Sequence, residues 1–296
     1  MQIQPFDDRD GYIWFDGKMV PWREAKIHVL THGLHYGSSV FEGERTYSGN
    51  VFKLKEHTER LHTSAEMLGF TVPFTVQTLM DATNEVLAAQ GITDGYIRPV
   101  AWRGSEKMAI SAQHNRIHVA IAAWSWPPYY KEELQQTGIR MKVSEWARPA
   151  PNTAPCASKA AGLYMICTMS KHKAEAQGYE DAMMLDWRGY VAEGSSANFF
   201  MVQDGELHTP TPDCFLNGIT RLTIIDLAKK NGIKVVERHI KPEEWAKAQE
   251  AFLTGTAAEI TPVGEIHHDD KIYKFTVGPV TKKLREAYHA LVRGKA

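Results

Sequence analysis

Residues 183–209 read MMLDWRGYVAEGSSANFFMVQDGELHT, which is two hairpins in succession. Met183–Asp186 and Tyr190–Glu193 are strand-like runs about an Arg188-Gly189 turn, and Asn198–Val202 and Leu207–Thr209 flank Asp204-Gly205. Such pairs of apolar runs about X-Gly turns predict antiparallel strands. The chain then enters an amphipathic helix, Arg221–Lys230, closed by Asn231-Gly232, a good C-terminal stop. Further on, Val235–Arg238 and Ala251–Thr254 read as strands and Val280–Val292 as a closing helix. On the other side lie a candidate strand, Arg140–Trp146, and a long candidate helix, Ala160–Gln177, stopped by Gly178. Strands and helices mixed in this way, without strict βαβ alternation, predict an α+β fold and not a doubly wound sheet.

The first part of the chain has the same character. Tyr12–Phe15 and Lys18–Val20 flank Asp16-Gly17, another hairpin signal. Leu54, His57, Leu61, Ser64, Ala65 and Leu68 fall on one face of a helix over Leu54–Leu68. Thr78–Gln90 is a second helix stopped by Gly91, and Tyr96–Trp102 and Ile117–Trp124 are strands. Trp126-Pro-Pro-Tyr129 breaks regular structure. The expected organisation is a smaller N-terminal α+β domain over 1–125, an interdomain loop over 126–138 and a larger C-terminal domain over 139–296. A chain of 296 residues is long enough for this.

Composition narrows the function. With 34 Lys+Arg against 35 Asp+Glu, the chain has no basic bias toward nucleic acid, so any anion site must be built locally. Cys156, Cys167 and Cys214 show no CxxC spacing, which argues against a disulfide framework and a structural zinc site. His32 with His35, and His267-His268-Asp269-Asp270, are the metal-like groupings, but neither has a sensibly spaced third ligand. The expectation is no metal, with His267–Asp270 a polar turn before a Lys271-Ile-Tyr strand. The polar, acidic start does not read as a secretory signal, and no apolar run approaches the ~18 residues a spanning helix needs. The simplest expectation is a soluble cytoplasmic protein.

Two segments could hold an anion. Gly218-Ile-Thr-Arg221 immediately precedes the helix starting at Arg221, where unpaired N–H groups and the helix dipole favour negative charge. Thr254-Gly-Thr-Ala-Ala-Glu259 is a small-residue turn after an apolar strand. Either could equally be an ordinary cap or turn. Together, in a neutral chain, they suggest a phosphate-bearing small molecule. Lys159 ends a Pro-rich run among Ala157, Ser158, Ala160, Ala161 and Gly162, at the mouth of the candidate helix. Small neighbours leave room for a bulky group on the amine. Partial desolvation near a positive helix end would lower its pKa, as Schiff-base chemistry requires. Glu193, at a strand end, is either a turn acid or a partner for a protonated ring nitrogen.

Taken together, these motifs resemble the class IV (fold type IV) pyridoxal-phosphate aminotransferases, and within them the branched-chain amino acid aminotransferases. The likeness runs from about Ile13 to Ala290. It is carried by His32-Gly-Leu-His-Tyr-Gly37, Phe41-Glu-Gly43, Tyr96-Ile-Arg-Pro99, Ser158-Lys159-Ala160, Glu193-Gly with Asn198-Phe-Phe, Gly218-Ile-Thr-Arg221 and Thr254-Gly-Thr-Ala-Ala-Glu-Ile-Thr-Pro262. The resemblance implies a D-amino acid aminotransferase-like fold of two domains with pyridoxal 5'-phosphate at the domain interface. It implies that Lys159 holds the cofactor and that Glu193 pairs with the ring nitrogen. Arg60, Gly218, Ile219, Thr220 and Thr256 would bind the phosphate, Tyr164 the phenolic oxygen, and Leu216 would pack on the ring.

On the substrate side, Phe41, Tyr96, Arg98, Trp126, Tyr129, Ala257 and Ala258 match pocket positions, with Met108 and Ile110 as apolar loop residues. Tyr36 matches a position reaching in from a neighbouring subunit, which implies a homodimer or a higher homo-oligomer. Arg98 would pair with the distal carboxylate of glutamate. The implied reaction is transamination of leucine, isoleucine and valine with 2-oxoglutarate, giving branched 2-oxo acids and glutamate. Arg103–Ser111 departs from the family's glycine-richer loop, and Arg103, Glu106 and Lys107 put charge there. A D-amino acid or (R)-amine transaminase, an aminodeoxychorismate lyase, a metal enzyme and a non-catalytic binding module are the competing readings.

Overall fold

The computed structural model describes residues 4–127 and 132–294. The chain divides into two compact units, one of residues 1–127 with Ser158–Gly162 and the other of residues 128–157 with Leu163–Ala296. The first unit is built on strands β1 (Tyr12–Phe15), β2 (Lys18–Pro21), β3 (Ser39–Phe41), β4 (Glu44–Tyr47), β5 (Asn50–Val51), β6 (Gly95–Arg103) and β7 (Ile117–Ser125). They form a seven-stranded sheet in the order β2-β1-β7-β6-β4-β5, with β3 also on β6. The β1–β2 hairpin turns at Asp16 and Gly17, with φ 49° and 94°. Positive φ at both central residues matches the twist of the strands they join, and glycine adopts it without strain. Three helices belong to this unit: α1 (His32–Tyr36), α2 (Leu54–Met67) and α3 (Val76–Gln90). Thr75 caps α3 by accepting from the Thr78 N–H at 3.1 Å, and Gly91 ends it at φ 62°. The core packs Leu61 and Ala65 of α2 and Leu79 and Val86 of α3 with Ile97, Val119 and Ile121 of the sheet. Each large apolar side chain so buried contributes roughly 1.5–3 kcal/mol. The buried stripe of α2 also contains His57, Thr58 and Ser64, and two of these polar residues recur in the site.

The second unit contains β8 (Ile139–Val143), β9 (Asp181–Leu185), β10 (Val191–Gly194), β11 (Asn198–Gln203), β12 (Glu206–Pro210), β13 (Val235–Arg238), β14 (Glu250–Gly255), β15 (Glu259–His268) and β16 (Lys271–Lys274). Its sheet runs β10-β9-β8-β15-β14-β11-β12-β13, with β16 on β15 and an added β10–β11 pairing. That pairing, Glu193 opposite Asn198, joins the path back to β10 and closes part of the sheet on itself. Helices α4 (Glu132–Thr137), α5 (Tyr164–Ala176), α6 (Ile219–Lys230) and α7 (Pro279–Val292) belong here. Ile139, Met141, Met183, Phe199, Met201, Leu253, Val263 and Ile266 bring the strands into one core with Trp245. Among the described residues no helix is long and apolar enough to cross a membrane.

Several sequence expectations need correction. The region after Ala160 is not one helix: a 3-10 turn, Ala161–Leu163, precedes α5. Lys159 therefore stands before a 3-10 turn and not directly at the head of α5. The helix expected from Arg221 starts at Ile219, with Gly218 as N-cap at φ −67° and ψ 140°. The Arg140–Trp146 strand ends at Val143, and Trp146 is exposed. β15 was not foreseen, and it carries His267 and His268 as strand residues, with the turn at Asp269 and Asp270. Glu132–Thr137 is helical inside the expected loop 126–138.

Candidate active site

In the first unit, Lys159 sits in an extended segment pinned to α2 and β3. Its backbone N–H donates to Ser64 Oγ at 3.0 Å, and its carbonyl accepts from the Phe41 N–H at 3.2 Å. Ser158 Oγ donates to the Ser64 carbonyl at 2.9 Å, and Ala160 bridges Val40. Lys159 Nζ lies 4.8 Å from the centre of the Phe41 ring. Burial, then the Arg60 guanidinium, lower the amine to about 8, against the raising effects of Glu42 and Tyr96. An amine in this range has a neutral fraction of roughly one-quarter at pH 7.5.

Arg60, one helical turn after His57 on the buried side of α2, is held by Glu42. Its Nε and Nη2 donate to the two Glu42 oxygens at 2.6 and 2.8 Å, the bidentate geometry that fixes a guanidinium plane. His57 Nδ1 is 2.7 Å from Glu42 Oε2. Burial alone would raise the Glu42 pKa, but Arg60 and His57 outweigh it and hold the carboxyl far below its usual range. Burial pushes the His57 pKa down. Glu44 behaves in the opposite way. It is 0% exposed, neither carboxyl oxygen makes a hydrogen bond to a described residue, and burial, then Glu42, push its pKa well above the carboxylate range.

Beside Lys159 the structure assembles four of the expected substrate residues. Arg98 Nη2 donates to the Tyr96 hydroxyl at 3.0 Å, and the guanidinium carbon lies 4.6 Å from the Phe41 ring centre. Trp126 packs on Tyr96 with ring centres 5.3 Å apart. Gly43 is required here, because a Cβ would meet the Tyr96 hydroxyl at 2.0 Å. Arg98 also borders a cavity of about 350 Å³ lined mainly by apolar residues such as Ile13, Phe15, Val100 and Ala122, with Thr31 and Ser39. Tyr36, Met108 and Ile110 are instead exposed on the chain, at 45, 38 and 83%. Tyr129 lies outside the described residues. Two of the three charges noted in the 103–111 loop serve the local structure. Arg103 is buried, donating to the Gly69 and Ala112 carbonyls, and Glu106 accepts from the Arg116 N–H at 3.1 Å.

In the second unit Asn198 links the other expected residues. Its Nδ2 donates to Glu193 Oε2 at 3.1 Å and to the Leu216 carbonyl at 3.0 Å, and its Oδ1 accepts from the Gly218 N–H at 3.1 Å. A Cβ on Gly218 would meet that Oδ1 at 2.2 Å, so only glycine allows the α6 N-terminus to approach Asn198. Ile219 and Thr220 then occupy the first helical turn, where backbone N–H groups lack intrahelical acceptors. Glu193 is buried, with Arg148 Nε 3.4 Å from its Oε1. Burial alone would lower the Arg148 pKa, but Glu193, Cys167 and Tyr164 outweigh it and raise it, which places the Tyr164 phenol near this ion pair. Thr254 pairs with Asn198 across β14–β11. The chain then turns through Thr256, Ala257 and Ala258, partly buried, before Gly255 and Glu259 pair. Glu259 takes φ 51°, the left-handed step that completes such a short hairpin.

Glu42, His57, Ser64, Arg148 and Asn198 were given no role in the sequence reading. Glu42 and Asn198 lie inside motifs that were recognised, so a signal for them existed. Ser64 and His57 read only as members of an apolar stripe. For Arg148 the sequence offers no signal, since its contact with Glu193 spans a long separation.

The donor set fits pyridoxal 5'-phosphate. A partly neutral lysine suits the aldehyde, and a buried carboxylate flanked by a guanidinium suits a protonated ring nitrogen. A glycine-capped helix start with a threonine hydroxyl suits the phosphate. The comparisons agree. The family model for amino-transferase class IV matches residues 39–266. The branched-chain-amino-acid aminotransferase of Pseudomonas aeruginosa is 44% identical over 292 residues, covering 97% of this chain and 95% of that protein. The solved T.th. branched-chain amino acid aminotransferase with pyridoxamine 5'-phosphate superposes with TM-score 0.93 at 40% identity, covering 97% of this chain and 96% of that one. The same solved protein complexed with N-(5'-phosphopyridoxyl)-L-glutamate gives TM-score 0.91 at 39% identity, with the same coverage.

Proposed function

The chain belongs to the class IV aminotransferase family, and we propose that it exchanges amino groups between L-leucine, L-isoleucine or L-valine and 2-oxoglutarate. The observation that carries this reading is Lys159, with an amine lowered to about 8 and lying over Phe41 beside Tyr96 and Arg98. Bound pyridoxal phosphate supplies the electron sink that makes the substrate Cα proton acidic. Lys159 would hold the cofactor, and its Nζ is the base that would take and return that proton. Arg60, Gly218, Ile219, Thr220 and Thr256 take the phosphate. Glu193, in contact with Arg148 and Asn198, would pair with the ring nitrogen and favour its protonation. Tyr164 takes the phenolic oxygen and Leu216 packs on the ring. Phe41, Tyr96 and Trp126 of the first unit are the apolar groups that would receive the substrate side chain, and Ala257 and Ala258 of the second would leave room for it. Arg98 is a cation suited to a distal carboxylate, because a guanidinium grips it through two parallel bonds. This lets the site take glutamate as well as leucine.

Exposure of Tyr36, Met108 and Ile110 on the chain is what a contribution to a neighbouring subunit's pocket requires. The working assembly is therefore a homodimer or a multiple of it, acting in the cytoplasm. Two measurements test the reading. Borohydride reduction of the cofactor-loaded protein should modify the Lys159 peptide, and Lys159→Ala should lose both turnover and visible absorbance. In a panel of L-leucine, D-alanine and an (R)-arylamine, only L-leucine should be turned over well. Preference for either of the others moves the chain to a different activity of the same family.

A further inference from the structure

Helix α1 and the Arg103–Ser111 loop are far apart in sequence, yet both carry exposed apolar side chains. His32 joins them. It is 4% exposed, and its backbone N–H donates to the Gly104 carbonyl at 2.9 Å. Ring Nε2 lies 2.9 Å from the Ala109 carbonyl and Nδ1 lies 2.6 Å from Ser38 Oγ. A carbonyl only accepts, so Nε2 carries the hydrogen and Nδ1 accepts from the Ser38 hydroxyl. The imidazole also packs on Tyr36, with ring centres 4.6 Å apart and planes at 34°. Ala109 sits between Met108 and Ile110, so the bond to its carbonyl fixes where those two side chains project. Asn115 Nδ2 holds the other side of Met108, donating to the Lys107 carbonyl at 3.1 Å and to the Gly104 carbonyl at 2.9 Å. His32 supplies the hold at Ala109, between Met108 and Ile110.

We infer that His32 is a positioning residue that sets Tyr36 and the Met108–Ile110 turn relative to each other, and so governs which substrate side chains are accepted. This rests on the proposed placement of those three residues in a neighbouring subunit's substrate pocket. Misplacing a pocket wall by about 1 Å can cost up to 100-fold in rate, so a single buried imidazole is enough to matter. It also explains how a loop with Arg103, Glu106 and Lys107 still presents apolar groups. Arg103 and Glu106 are engaged in hydrogen bonds and Lys107 is exposed, while Ala109 is tied by the His32 ring.

The test uses the cofactor-loaded full chain. His32→Phe keeps ring volume against Tyr36 but removes both ring hydrogen bonds. It should raise the KM for L-leucine roughly tenfold, with kcat and the visible cofactor absorbance close to the parent. His32→Gln, which keeps a terminal donor and acceptor, should recover most of that loss. Trypsin should cut after the exposed Lys107 faster in His32→Phe than in the parent. If His32→Phe does not fold, Ser38→Ala removes one of the two bonds and should raise the KM about two- to threefold. Unchanged cleavage overturns the tie between His32 and the loop. Faster cleavage with an unchanged KM overturns the role in substrate range, as does a parallel fall in kcat and absorbance. A parent protein without branched-chain activity defeats the underlying functional reading, while the cleavage comparison still decides the tie.

Discussion

Replacing Arg60 by glutamine should raise the pKa of the Lys159 amine, and the size of the rise follows from the site. The parent amine is lowered from 10.5 to about 8, first by burial and then by Arg60. At pH 7.5 an amine of pKa 8 is roughly one-quarter neutral, against about one part in a thousand at 10.5. The surroundings thus raise the reactive fraction by more than two orders of magnitude. Taking away a nearby positive charge shifts such a group by on the order of one unit, or ~1.4 kcal/mol. Arg60→Gln also releases Glu42, which itself raises the amine pKa, so both effects have the same sign. Competitive acylation of the cofactor-free protein from pH 6 to 11, read on the Lys159 peptide by mass spectrometry, gives the midpoint directly. Glu42→Gln should move it the other way. A parent midpoint near 10.5, or an Arg60→Gln midpoint at or below the parent's, would refute the electrostatic account.

Glu44→Met should stabilise the protein, and increasingly so as pH rises. An acid whose folded pKa lies well above its ordinary value binds its proton more tightly in the folded state. The parent therefore loses stability above about pH 4.5, by ~1.4 kcal/mol per pH unit, until the folded group itself ionises. Methionine has no such cost and conserves volume; melting curves at pH 5, 6 and 7 should diverge, and a constant gap sinks the idea. Asn198→Asp keeps the acceptor for Gly218 but loses the donors to Glu193 and Leu216 and sets a like charge beside Glu193. Retention of pyridoxal phosphate on dialysis should fall about tenfold or more, and undiminished retention would show the amide is dispensable. Arg98→Met should raise the KM for glutamate by roughly tenfold or more while that for leucine changes little. An equal change for both substrates would remove Arg98 from carboxylate recognition.

The hairpins were legible because their signals are local. Asp16-Gly17 and Asp204-Gly205 each place a residue and a glycine at positive φ between strands, and apolar alternation on either side fixes the pairing. α2 and α3 were legible for the same reason, since periodicity and a glycine stop act within a few residues. β15 was missed because Glu259–His268 mixes threonine, proline, glycine and two histidines. It is a strand because it lies between β14 and β8, and that support comes from the sheet. For Lys159 the desolvation expected from sequence is the largest cause of the lowered pKa. The α-helix expected next to it begins only at Tyr164, and the second lowering influence is Arg60, remote in sequence.

Sequence by itself determined the α+β class and the motif order that reveals the family. Those depend on residue type and on short-range backbone preference. Only the tertiary structure decided which charges face one another: Glu42 on Arg60, Arg148 on Glu193, Asn198 between Glu193 and Gly218, His32 between Tyr36 and Ala109. Electrostatic and hydrogen-bond energies depend on ångström separations and on burial, and folding sets both through contacts between residues far apart along the chain.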